Sequence, residues 1–231
     1  IKCPRCGHAQ DVTLYESINA KSNPELREQL MANQINRVAC PTCQLSFRVD
    51  KPLLYTDPRS KILVYWMPAP ETAYAQGQEQ FSQWLREMGH VLPEGIRAPE
   101  VHLVFTRTEL VERIFMLESK LNERVIEYVK YIIYSRNIGK LDPAKKTLLC
   151  NVQDSNQDNL CFVVQDRAGG QFETVLHYSR DAYNAICETF DKEDKTADLL
   201  ELFPGPHISA RTLLLEEQKK EKETGARDKT T

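Results

Sequence analysis

Two short cysteine motifs, Cys3-Pro4-Arg5-Cys6-Gly7 and Cys40-Pro41-Thr42-Cys43, constrain the fold more than any other feature of the chain. Two residues between the sulfurs of each pair let both point to the same side of a tight turn. Two such pairs supply the four thiolates of a tetrahedral zinc site. Proline stiffens each turn, and Gly7 supplies the positive φ that the exit favours. Gln44 stands at the matching exit of the second motif, so that exit is expected to be strained or differently shaped. A redox pair or four ordinary buried thiols would have no need of one shared C-P-x-C pattern. The expected metal ligands are therefore Cys3, Cys6, Cys40 and Cys43, with Zn²⁺ as a structural cofactor. Four thiolates leave no position for water or substrate, so the motif implies no activity. His8, two residues past Cys6, is read as exposed rather than as a ligand.

Between the motifs, residues 12–18 are strand-like. Asn23-Pro24-Glu25 then reads as an N-cap followed by proline at the first helical position, with Leu26 and Leu30 on one face of a short helix. Residues 34–39 and 45–49 flank the second motif and are expected to pair across it as a zinc ribbon. Lys2, Arg5, Arg37 and Arg48 lie near the ligands in sequence. They are read as a mixture of solvated surface and partial compensation for the anionic zinc tetrathiolate. Residues 52–55 and 61–67 read as strands joined by a turn, the second apolar enough to be central in a sheet. A helix over 78–88 carries Phe81, Trp84, Leu85 and Met88 as a stripe expected to be core. A loop over 89–99 leads to a strand over 101–105. Thr108 is expected to cap a helix bearing Leu110, Ile114, Leu117 and Leu121, and Asn122 a second bearing Val125, Ile126, Val129, Ile132 and Ile133. The broad apolar face of that second helix fits packing onto a sheet, with a homodimer seam as the alternative.

The two C-P-x-C motifs, the run Lys51-Pro52-Leu53-Leu54-Tyr55-Thr56-Asp57, the run Ile62-Leu63-Val64-Tyr65-Trp66-Met67-Pro68 and the helical stretch over 108–135 together resemble the prokaryotic CpXC-domain family. The resemblance covers residues 1–135. It implies a zinc-knuckle module of bacterial or archaeal origin and no catalytic residue, since the family is one without an established activity.

Residues 139–146 have linker composition. Strands over 147–152, 160–165 and 172–178 follow, then a helix capped by Ser179 or Asp181 and running to Phe190, giving a β-β-β-α unit. Symmetric pairing about the polar loop would set Cys150 opposite Cys161 on one buried face as two reduced thiols. The acidic run around Asp191 and Asp198 is irregular and interrupted by lysines, so it reads as a solvated turn. The expected fold class is α+β, a zinc-ribbon-like knuckle pair built into a mixed sheet with helices, plus the C-terminal β-β-β-α unit. A CpXC-like zinc-binding domain is expected over 1–140, a small α+β domain or appended layer over 147–207, and a charged, disordered tail over 208–231.

Net charge narrows the function. The chain totals −3, but residues 147–207 hold four Lys/Arg against eleven Asp/Glu, while residues 1–51 hold seven against five. Nucleic-acid binders concentrate basic charge, so nucleic acid is not the expected partner. No apolar run approaches the roughly twenty residues of a membrane span, and the beginning Ile1-Lys2-Cys3 has no signal-like hydrophobic region. Seven cysteines, four of them in the metal motifs, imply no disulfide framework and a cytoplasmic setting. There is no phosphate-binding glycine loop, no nucleophile elbow and no His-Glu-x-x-His pair. The chain therefore reads as an interaction or regulatory module with a structural four-cysteine zinc site, a protein partner and no catalytic residue. A nucleic-acid-binding ribbon and an enzyme with a cleft between its halves are the alternatives.

Overall fold

The computed structural model describes residues 1–91 and 100–227, and the chain divides into two units, Ile1–Ile114 and Phe115–Thr231. The division falls earlier than the 139–146 segment whose composition suggested a boundary. The loop expected over 89–99 falls mainly on 92–99, outside the described residues, as do the last four residues of the tail.

The first unit contains β1 (Ser17–Asn19), α1 (Pro24–Met31), β2 (Arg37–Ala39), β3 (Ser46–Arg48), β4 (Leu53–Asp57), β5 (Ile62–Trp66), α2 (Tyr74–Val91), β6 (His102–Val104) and most of α3 (Arg107–Glu118). β2 and β3 form a separate two-stranded ribbon. The remaining strands make one sheet in the order β1-β4-β5-β6, with β5 inside it as its apolar sequence requires. β1 runs parallel to β4, β4 and β5 are antiparallel, and β6 returns parallel to β5. Ile62, Val64 and Trp66 are buried on one face of β5, while Tyr65 points to the other and meets α2. Its ring stacks on Phe81 at 5.4 Å and on Trp84 at 6.3 Å.

The α2 stripe is core for only half its length. Phe81 is buried, but Trp84 and Met88 are 43% and 45% exposed, because the helix meets the sheet through Phe81 and Leu85. Gly77 permits this approach, since a Cβ there would lie 2.8 Å from Phe105 Cε1. The cap of α3 is Thr106 rather than Thr108. Its Oγ1 accepts from Glu109 N at 3.1 Å, and Glu109 Oε2 accepts from Phe105 N at 2.9 Å and Thr106 N at 3.1 Å. This reciprocal Thr-x-x-Glu arrangement is a capping box. Arg107, the first residue of α3, lies 5.8 Å over the Trp66 ring and donates from Nη2 to the Leu30 carbonyl at 3.2 Å. Leu30 sits in the last turn of α1, where orphan carbonyls attract cations.

The second unit holds α4 (Glu123–Arg136), β7 (Lys146–Asn151), β8 (Asn159–Asp166), β9 (Phe172–Ser179), α5 (Arg180–Phe190), α6 (Glu193–Leu202) and α7 (Ala210–Arg227). Asn122 caps α4 through Oδ1 as expected, and of the two candidates Ser179 and Asp181 it is Ser179 that caps α5. The antiparallel sheet β7-β8-β9 packs Leu148, Cys150, Phe162 and Val164 into one core with Val125, Ile126, Val129 and Ile133 of α4. The broad apolar face of α4 is thus filled within the chain.

The hairpin register differs from the expected one by a single residue. Cys150 pairs with Phe162, and Cys161 with Asn151, so the two cysteines lie on opposite faces. Side chains in the loop set the shift. Asn156 Oδ1 accepts from Asp158 N and Asn159 N, and Ser155 Oγ accepts from Cys161 N at 2.9 Å where a strand carbonyl would stand.

Residues 193–202 and 210–227 are helical, where charge density alone had suggested a solvated turn and a tail. Leu213 and Leu214 pack on the core, and Ile208 and Ala210 are buried. α7 is also held by a carboxylate of α4. Glu127, only 3% exposed, binds Lys130 Nζ at 2.7 Å through Oε1 and accepts from Ala210 N at 2.8 Å through Oε2. A carboxylate there satisfies an orphan amide and suits the positive end of the helix. Removing one member of a buried ion pair typically costs about 3 kcal/mol. Glu127→Ala should therefore lower urea stability by that amount and speed amide exchange in the first turns of α7. Unchanged exchange there would show that the carboxylate does not hold the helix.

Candidate metal centre

The two cysteine motifs fold into turns that match bond for bond. Adding 37 to each number of the first motif gives the second, Cys3 to Cys40 and Cys6 to Cys43. Gly7 N donates to Cys3 O at 3.0 Å, and Gln44 N to Cys40 O at 2.9 Å. Cys3 N donates to His8 O and Cys40 N to Leu45 O, both at 2.9 Å. The flanking pairs match as well, with Lys2 bridged to Ala9 as Ala39 is to Ser46. Gly7 has φ +73° and Gln44 φ +56°, so the expected strain at Gln44 takes the form of a left-handed residue with a side chain.

The matched turns face each other and bring the four sulfurs together. Cys3 Sγ lies 3.6 Å from Cys43 Sγ, Cys6 Sγ lies 3.6 Å from Cys40 Sγ, and all four lie within 4.8 Å of one another. Disulfide sulfurs stand about 2.05 Å apart, and the seven cysteines are free thiols. A tetrahedron of sulfurs at a Zn–S distance of about 2.3 Å has edges of about 3.8 Å, so the cluster has the size of a zinc tetrathiolate. Cys3 and Cys40 are buried, Cys43 is partly buried, and Cys6 is exposed. His8 is exposed and not among the clustered ligands.

Backbone amides prepare two sulfurs for the thiolate form. The Cys40 thiol is drawn down to about 6, foremost by the amide of Cys43 and further by that of Thr42, against the opposing effect of burial. Cys3 is lowered by the equivalent amides of Cys6 and Arg5. These turn N–H groups stabilise anionic sulfur, which is the role suggested for the neighbouring cations. Arg37 instead donates from Nε to Ser46 Oγ at 3.0 Å.

Two further residues hold the ribbon. Asn36, buried and at φ +56°, accepts from Tyr15 N at 2.7 Å and donates to Tyr15 O at 2.9 Å through its side chain. Its own carbonyl accepts from Val49 N at 3.0 Å. A side-chain amide thus stands in for a strand residue and ties the inserted segment to the ribbon. Gln10 Nε2 reaches Ala39 O at 3.4 Å and links the two turns. Neither residue carries a motif, although an asparagine between Ile35 and Arg37 is a local hint of left-handed backbone.

Residues 1–130 match the family model described as CpXC protein. No curated protein and no solved structure matches the chain.

A left-handed non-glycine residue costs about 1 kcal/mol relative to glycine. Gln44→Gly should therefore stabilise the metal-bound ribbon, raising the temperature at which it melts and slowing loss of metal to a chelator. A lower melting temperature would mean that the glutamine side chain contributes more than its backbone strain costs.

Proposed function

The chain belongs to the CpXC protein family, and on that premise we propose that it is a zinc-binding interaction or regulatory module with a structural four-cysteine zinc site. The observation that carries this reading is the convergence of Cys3, Cys6, Cys40 and Cys43 with all four sulfurs within 4.8 Å. Four thiolates complete the tetrahedron, so the metal orders the ribbon and takes no substrate. Thiolate ligands require reducing surroundings, which favours a cytoplasmic setting. Among the described residues, no helix is long and apolar enough to cross a membrane.

A second reading, nucleic-acid binding through the ribbon, is favoured by one observation. Arg37 and Arg48 face each other across β2 and β3, and both are exposed. Directly opposed like charges weaken a strand pair and attract an anion. The seven basic and five acidic residues of 1–51 leave only a small cationic excess. Counterion release with so few contacts supports weak, nonspecific and strongly salt-dependent binding.

Elemental analysis of protein purified without chelators should give one zinc per chain. Structural zinc contributes about 10–16 kcal/mol of apparent free energy in small peptides, so Cys40→Ser should lose the metal and unfold the ribbon. The second unit should keep its own cooperative transition in that variant. A metal-free protein with an ordered ribbon would overturn the zinc reading. In a salt titration with duplex and single-stranded DNA, affinity should fall steeply with salt and show no sequence preference. Sub-micromolar, sequence-selective binding at physiological salt would instead make the ribbon a nucleic-acid reader.

A further inference from the structure

A cavity in the second unit lies between the last turns of α4, the loop after it and α7, with a volume of about 260 Å³. All of its lining residues lie beyond the 1–130 segment that matches the family model. Tyr131 and Tyr134 form the α4 wall, Leu141 comes from the loop, and Leu214, Glu217 and Glu221 form the α7 wall. Tyr134 is fixed in place, since its Oη donates to Lys146 O at 3.1 Å and accepts from Leu148 N at 2.8 Å. Tyr131 Oη donates to Glu217 Oε2 at 3.4 Å.

The charge in this cavity is one-sided. Glu217 and Glu221 stand one turn apart on α7, a spacing at which like charges destabilise a helix. Among the described residues neither pairs with a basic side chain, and no Lys, Arg or His lines the cavity. The Tyr131 hydroxyl holds its proton more tightly than usual, first through burial and then through the charge of Glu217. The cavity thus sets two tyrosine rings and aliphatic side chains, with Ser135 and Gln218 as polar edges, against a wall of negative potential, and its lining holds no cation.

We propose that this cavity binds a small organic ammonium ion, a protonated amine on a compact apolar body. The apolar body would rest on Tyr134, Leu141 and Leu214, and the ammonium would sit between the Tyr131 ring and the two carboxylates. A cation gains from both the ring face and the carboxylates, whereas an anion is repelled and a neutral ligand leaves the carboxylates without a counter-charge. The volume is below the 300–1,000 Å³ common for drug-sized ligands, which limits the guest to about eight to ten heavy atoms.

Calorimetric titration of the whole 231-residue chain, loaded with zinc, with cyclohexylmethylammonium, against the neutral cyclohexylmethanol, tests this. The ammonium ion should bind saturably at one site and about tenfold more tightly than the alcohol. In Glu217→Gln/Glu221→Gln that advantage should vanish. The thermal stability of this variant should be unchanged or raised, because the repulsion along α7 is gone. Equal binding of amine and alcohol, ammonium binding that survives in the double variant, or no saturation at millimolar concentration would each overturn the proposal. Tighter binding of an acetylated, amidated lysine peptide than of the free amine would overturn the small-molecule occupant in favour of a protein side chain.

Discussion

Convergence of four sulfurs from two matched turns is the constraint on which the first unit depends. The ribbon strands β2 and β3 have three residues each, and the flank of the first turn has only the bridge between Lys2 and Ala9. Isolated pairs of this length are not stable in water. Of the six residues in β2 and β3 only Val38 is buried, so hydrophobic burial of these strands supplies little of the ribbon's order. Joining Cys6 to Cys40 closes a loop that contains β1 and α1. β1 then joins the sheet as its edge strand, parallel to β4, while Asn36 fastens Tyr15 to the ribbon. Local turn chemistry and tertiary topology thus meet at one site.

The second unit is organised by a different expedient. Its core helix α4 buries Glu123, Glu127 and Lys130 beside Val125, Ile126 and Val129. Buried ion pairs add little net stability compared with apolar residues of the same size, but breaking one is costly. What Glu127 provides is position, because its second oxygen is the acceptor for the first amide of α7. A purely apolar contact between α4 and α7 would tolerate sliding, whereas this hydrogen bond fixes where α7 begins.

Features legible in the sequence were those whose physics is local. The cysteine spacing, proline at the start of α1, the Asn122 cap and the apolar, β-rich composition of β7 and β8 each need only a few neighbouring residues to act. Gln44 was legible for the same reason, since the turn geometry at position 44 follows from the one at Gly7. Features that depend on partners distant in sequence were not legible. Glu127 reads as a charged residue on an apolar helix until Ala210, 83 positions later, is placed against it. The α7 segment looks like solvated tail because its charges are plain and the two leucines that dock it are few. Cys150 and Cys161 lay one step from the right pairing, and the error came from Ser155 and Asn156, whose side chains replace backbone acceptors in the loop. Register follows such bonds, and strand composition is blind to them.

A closed tetrathiolate also limits where recognition can reside. A metal held by all four clustered sulfurs would leave no position for a partner, so such a centre would shape a surface without itself selecting what binds there. Recognition needs groups that folding does not consume. Glu221, and Glu217 beyond the one bond it accepts from Tyr131, are such groups, since their spacing on α7 opposes helix stability and no basic residue lines their cavity. A pair that destabilises its own helix is understandable if something outside the chain supplies the missing charge. Stability and recognition are then divided between different residues, with the cysteines answering for the ribbon and these two carboxylates for a guest.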